Sequence, residues 1–256
     1  MNTNSCRVVV CCFLDGRDSR NNSPPSKKTG LNFLKKIIQI ENKIESTINY
    51  DLIIVNHDTG YLEGNKYVNN LNNTRYKHGM IKTITTNNFG ISFDGYNTAF
   101  KIYEKDYENW IFSEDDHVLF VDNYYDIFLN EYESNIDNNI GFLAFAPISN
   151  LNNYPIHSGG GFGLCKTKNL RMIANLYNNN LPCKSIGMDI RQSEIYFTHS
   201  FIKIGKNLIL QKSFSCYPIN HEKCGDHTLH RNIGSIIDSG KYFFQVGINS
   251  QEIWEE

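Results

Sequence analysis

Glu114-Asp115-Asp116 stands between two apolar runs, Trp110-Ile111-Phe112-Ser113 before it and, after His117, Val118-Leu119-Phe120. A buried strand does not keep three bare carboxylates, so the triplet is expected where a strand meets a loop. At the carboxyl edge of a sheet, such acids face the crevice in which open α/β sheets take their ligands. Carboxylates gathered with nothing basic beside them point to a divalent cation. Mn²⁺ and Mg²⁺ prefer oxygen ligands, and Mg²⁺ is usually held by one or two carboxylates plus phosphate oxygens. The bland alternative is a solvated acidic turn. Strict alternation puts Glu114 and Asp116 on one face and Asp115 on the other. The outer pair is therefore the expected metal pair, with Asp116, where the loop turns into the crevice, as the direct ligand.

Other residues of chemical interest fall at similar junctions. Asp15 and Arg17 follow the first apolar run, and Asp58 ends the second, beside Thr59-Gly60. Asp94 lies between Phe93 and Gly95. In Ser158-Gly159-Gly160-Gly161-Phe162-Gly163, three consecutive glycines permit unusual dihedrals and a close approach of backbone to ligand. Asp189 opens a helical pattern in which Glu194 follows five residues later. His221, Cys224, His227 and His230 have the chemistry of Zn²⁺ ligands, although spacing by threes only partly supplies the tight turn a single site needs. Each has an ordinary use: turn former at Asp58, helix cap at Asp94 and Asp189, lone structural histidine in the tail.

The elements that must position these residues are legible as patterns. A chain of 256 residues, 40% hydrophobic and 20% charged, has enough apolar material for one large α/β domain. Apolar runs at 7–14, 51–55, 81–86, 110–113, 140–146 and 207–211 read as strands. Helical periodicity covers 31–48, 98–107, 121–132, 168–177 and 189–201, while 63–80 is Asn-rich and poorly patterned. Strand, helix and strand in succession make a βαβ unit with a right-handed crossover. A net charge of −2 without a basic stripe argues against a nucleic-acid partner. No stretch reaches the roughly 18 apolar residues of a transmembrane helix. Seven cysteines, two of them adjacent inside the first run, fit core thiols of a reducing compartment and so a soluble, cytoplasmic protein.

The order of these features resembles a nucleotide-sugar-dependent glycosyltransferase of the GT-A fold, over about residues 7–200. The resemblance rests on Glu114-Asp115-Asp116 in the place of the DxD motif. It rests also on Asn88-Phe89-Gly90 through Asp94-Gly95-Tyr96-Asn97 before it, the glycine loop after it, and Asp189 near a helix start. It implies a single Rossmann-like domain with a central, mostly parallel sheet flanked by helices. Residues 7–120 would form the nucleotide-sugar-binding half and 121–256 the acceptor-binding half. It implies Mn²⁺ or Mg²⁺ and a nucleoside-diphosphate sugar, with UDP favoured. Asp116 and Glu114 would hold the metal, completed by His227 or His221 late in the chain. Glu114 or Asp115 would touch the ribose or a metal-bound water. Asp15 and Arg17 would lie over the nucleotide, Arg17 pairing with phosphate. Asp58 would meet base or ribose, and Asp94 the base, ribose or donor sugar. Gly160 and Gly161 would line the donor-sugar and acceptor site. Asp189 would be the base that deprotonates the acceptor in an inverting reaction, with Glu194 next in line. The sequence departs from the pattern in its first acid, Glu rather than Asp, and in Gly187-Met188 before Asp189.

The implied function is metal-dependent transfer of a sugar to a hydroxyl acceptor, in glycan, protein or small molecule. A sugar-phosphate nucleotidyltransferase would share the sheet. That class usually has a Gly-rich loop with a basic residue straight after the first strand, where this chain has Gly16, a single Arg and a polar stretch. A non-catalytic glycan- or nucleotide-binding protein on the same scaffold is the other alternative.

Overall fold

Val-, Ile- and aromatic-rich strands alternate with amphipathic helices along the chain. The structure, a computed structural model, describes residues 4–12, 27–87, 91–115, 117–119, 121–146, 148–149, 154–213, 215–216 and 242–245. In order they form β1 (Ser5–Cys12), α1 (Lys27–Glu41), β2 (Asp51–His57), α2 (Leu62–Leu71), β3 (Thr74–Arg75), β4 (Met80–Thr86) and α3 (Ile91–Tyr103). These lead to β5 (Asn109–Glu114), β6 (His117–Leu119), α4 (Tyr124–Ser134), β7 (Ile140–Ala144), β8 (Ile148–Ser149) and β9 (His157–Ser158). Last come β10 (Gly163–Lys166), α5 (Thr167–Leu176), α6 (Ile190–Lys203), β11 (Asn207–Leu210), β12 (Ser215–Cys216) and β13 (Tyr242–Gln245).

Eight strands make the central sheet in the order β11-β7-β10-β5-β1-β2-β4-β3. β5, β1, β2 and β4 run parallel, as do β11 and β7. β10 is antiparallel to both its neighbours, and β3 to β4. A sheet with helices on both faces buries its strands on both sides, and every residue of β2 is buried. Alternation sends Val9, Cys11, Leu52, Ile54 and Ile111 to one apolar layer, with Leu34 and Ile37 of α1 and Phe128 of α4. Val8, Val10, Ile53, Val55, Trp110 and Phe112 go to the other, against Phe100 of α3, Leu170 of α5 and Phe201 of α6. The molecule is thus a single α/β domain whose sheet is mostly parallel with a few antiparallel pairs.

From β1 the chain steps outward to β2 and β4, then returns to β5 on the other side of β1. That reversal makes a switch point between the carboxyl ends of β1 and β5, where open α/β sheets leave a crevice. The register pairs Val10 with Glu114, and the Asp115 N–H continues the ladder onto the Val10 carbonyl at 3.0 Å. The acidic triplet therefore begins at the carboxyl edge of the sheet, next to the end of β1.

Three expectations about elements change. The helix expected over 31–48 ends at Glu41, yet Ile44 beyond it is still buried in the core. The Asn-rich 63–80 stretch contains α2, whose pattern is faint because only Gly64 and Val68 are buried. The helix expected over 98–107 is α3, which begins at Ile91. Gly95 lies inside this helix, where a Cβ would come 2.6 and 2.8 Å from the Val10 methyls. The glycine lets this helix settle onto β1. Among the described residues no helix is long and apolar enough to cross a membrane.

Candidate functional site

Glu114 is the last residue of β5 and is half-buried, whereas Asp115, the next residue, is fully buried. Ser92, in the first turn of α3, donates its hydroxyl to Glu114 Oε1. The carboxylate thus sits at the positive end of that helix, where an anion is favoured. The Glu114 N–H donates to Nδ1 of His117 at 3.0 Å. With Nδ1 accepting, the neutral ring carries its proton on Nε2. The His117 ring stacks on Phe162, centroids 4.1 Å apart and 19° from parallel. This stack connects the acidic turn to the glycine loop.

Gly159–Gly161 form one tight 3-10 turn in which Gly160 (φ +64°) and Gly161 (φ +60°) are both left-handed. Glycine adopts this conformation without the Cβ penalty that other residues bear. A Cβ on Gly160 would face His117, 3.8 Å from Cε1, and so borders the acidic turn. A Cβ on Gly161 would come within 2.9 Å of both Phe93 and Phe197, so that glycine answers to core packing.

α6 holds this loop along its length. Arg191 lies over the Tyr154 ring, 4.2 Å from its centroid. Glu194 Oε1 accepts the Gly160 N–H at 3.0 Å. Thr198 Oγ1 accepts the Ser158 N–H at 2.9 Å, and His199 Nδ1 donates to the Ile156 carbonyl at 3.1 Å. Glu194 is half-buried, and its second oxygen has no hydrogen-bond partner among the described residues. Asp189 is exposed and caps α6: its side chain accepts the Gln192 N–H at 2.7 Å while the Gln192 side chain accepts the Asp189 N–H at 3.0 Å. This reciprocal capping box satisfies two donors of the helix end. Five helical residues separate the two acids by about 7.5 Å along the axis and about 140° around it.

The remaining expected site residues are distributed as follows. Asp58 stands past the end of β2. Oδ1 accepts the Gly60 N–H at 2.8 Å and Asn65 Nδ2 at 2.6 Å, and these bonds hold its carboxyl below the usual range. Asp94 is buried, and its two oxygens accept the N–H groups of Lys184 (3.2 Å) and Ser185 (3.0 Å). It ties α3 to the turn that leads into α6. Burial, then the Asp94 charge, pushes the neighbouring Cys183 thiol up to about 12. Asp15, Arg17, Asp116, His221 and His227 lie outside the described residues, as do Cys224 and His230.

The arrangement brings Glu114, Gly160 and Glu194 into one neighbourhood and leaves Asp58 and Asp94 engaged with protein donors elsewhere. Ser92, His117, Phe162 and Tyr96, whose hydroxyl donates to the Gly160 carbonyl at 3.4 Å, complete it. His117 stood directly behind the acids in the sequence, and Phe162, Tyr96 and Ser92 lay inside segments of the resemblance without a role of their own. Among the described residues no three His, Cys, Asp or Glu side chains are grouped to hold a metal ion. A scan against protein-family models finds no matching family, and a search of curated proteins finds no matching relative.

Proposed function

We propose that this chain is a metal-dependent glycosyltransferase that moves a sugar from a nucleoside-diphosphate sugar, UDP favoured, to a hydroxyl acceptor with inversion. What supports the reading is the meeting of Glu114, at the β1/β5 switch point, with a glycine loop whose Gly160 N–H is held by Glu194. Carboxylate oxygen at a crevice mouth suits Mn²⁺ or Mg²⁺, which complete their shells with phosphate oxygens. Glu114 and Asp116 would hold the ion, which when bound neutralises charge on the departing diphosphate.

The chain's own residues divide the remaining work. His117 and Phe162 form a flat wall between the acids and the glycine loop. The loop has no side chains at Gly159–Gly161 and so lets a sugar ring approach backbone. Glu194 takes the acceptor proton through Oε2, since Oε1 is committed to Gly160. This reverses the order expected from sequence, which put Asp189 first.

The test is calorimetry of Mn²⁺ with and without UDP, alongside hydrolysis of UDP-sugars. Mn²⁺ binding should require UDP, and Asp116→Ala should abolish it together with Mn²⁺-dependent hydrolysis. Nucleotide binding that is unchanged by EDTA and by Asp116→Ala would sink the reading.

A further inference from the structure

Arg7 is a full charge inside β1 with its side chain 1% exposed. Alternation places it on the face of Val9 and Cys11, under α1 and α4. Each arm of its guanidinium is used. Nε donates to Ser113 Oγ at 3.1 Å, Nη1 to Glu41 Oε1 at 2.5 Å, and Nη2 makes a short bond to the His117 carbonyl. Glu41 is fixed in turn, accepting the hydroxyls of Tyr50 (2.5 Å) and Tyr124 (2.9 Å).

A buried ion pair of this kind is a poor stabiliser, because two apolar residues of similar volume often serve as well or better. Apolar residues cannot grip a backbone carbonyl. The carbonyl gripped here belongs to the first residue after Glu114-Asp115-Asp116. On the other side of the turn, the Asp115 N–H is tied to the Val10 carbonyl at 3.0 Å. The chain is thus clamped to β1 on both sides of position 116, and the Glu114 N–H bond to His117 Nδ1 closes the span.

We propose that Arg7, held by Glu41, is a positioning residue that sets the spacing of the acidic turn for a divalent cation bound with a nucleoside diphosphate. The inference rests on the functional reading above. Only arginine suits the post, since its planar fork reaches Ser113, Glu41 and His117 at once and a lysine ammonium is a single point.

The test measures Mn²⁺ affinity in the presence of UDP, by calorimetry on the full chain, for wild type, Arg7→Lys and Glu41→Gln. Tyr132→Phe serves as a control, because among the described residues the Tyr132 hydroxyl bonds the β7 carbonyls and Asn169, away from the acidic turn. Arg7→Lys keeps the charge and should weaken Mn²⁺ binding at least tenfold while UDP binding in EDTA stays within twofold. Glu41→Gln keeps the shape, should weaken it about threefold or more, and decides the matter if Arg7→Lys does not fold. The control should lose thermal stability without losing Mn²⁺ affinity, which separates positioning from general weakening of the core. A folded Arg7→Lys or, failing that, Glu41→Gln protein with wild-type Mn²⁺ affinity overturns the inference and leaves the functional reading standing. Wild-type protein that binds no Mn²⁺ with UDP removes both.

Discussion

Two carboxylates on the first turns of α6 do different things, and the difference is measurable. Asp189→Asn keeps a capping side chain and Asp189→Ala removes it. The alanine change should cost about 1 kcal/mol of stability, and the asparagine change should leave turnover near normal. Glu194→Gln keeps an oxygen for the Gly160 N–H and removes the basic group. It should lower kcat by roughly 10²–10⁴ with donor affinity preserved. The measurements are chemical denaturation and initial rates under saturating donor; near-normal turnover in Glu194→Gln would return the base to Asp189. Sequence favoured Asp189 because a helix start can face a crevice, but the same position attracts a carboxylate for capping alone. Nothing local tells the two apart. The long-range bond between positions 160 and 194 puts Glu194 against the glycine loop, and the proposed order of the two acids rests on it. The role of Arg7 is illegible locally for a related reason: its partners lie 34, 106 and 110 residues away.

At the scale of elements, the glycine loop combines two requirements that a substitution series can separate. Alanine at Gly160 meets open space except for His117 at 3.8 Å, so its cost is the left-handed dihedral, about 1–2 kcal/mol. Alanine at Gly161 bears the same strain and drives a methyl to 2.9 Å from Phe93 and Phe197, adding an overpacking cost of about 1–3 kcal/mol. Urea denaturation should therefore rank Gly161→Ala well below Gly160→Ala; equal losses would mean the loop shifts off the α3–α6 core without cost. The glycine triplet was visible as a site of unusual dihedrals, but which glycine serves the core and which borders the acids was not. The same holds for α3. Its Asp94 was expected to meet the donor or to cap a helix, while in the fold the aspartate fastens the turn before α6 and Gly95 admits Val10. The strands β1, β2, β4, β5, β7 and β11 were easier to read, because each is a short apolar run, whereas the shorter strands between them carry no such run. β10, antiparallel to both neighbours, depends on pairing with β5 more than fifty residues back and with β7 about twenty residues back.

For the molecule as a whole, the aromatic-rich layer around Arg7 and Glu41 also sets a pH dependence of stability. His78 is buried there, stacked on Tyr50 with centroids 5.2 Å apart, and its Nε2 donates to the Ile44 carbonyl at 3.1 Å. Burial lowers its pKa below the ordinary 6.5, only partly offset by the Glu41 charge and the Ile44 bond. The folded ring is therefore harder to protonate than the unfolded one. Below about pH 6.5 the unfolded chain binds the extra proton, so stability falls as pH drops toward the folded value and is complete above 6.5. His199 is shifted in the same direction, again mainly by burial, and adds to the same window. The denaturation midpoint should decline between pH 7.5 and 5.5, and His78→Gln, which keeps a donor for Ile44 but cannot titrate, should make that decline shallower. Parallel declines in wild type and variant would take the pH dependence away from His78 and would mean that the ring gains compensating contacts when charged. Paired denaturant curves at the two pH values give the comparison directly, with the difference between the two slopes isolating the proton taken up at position 78.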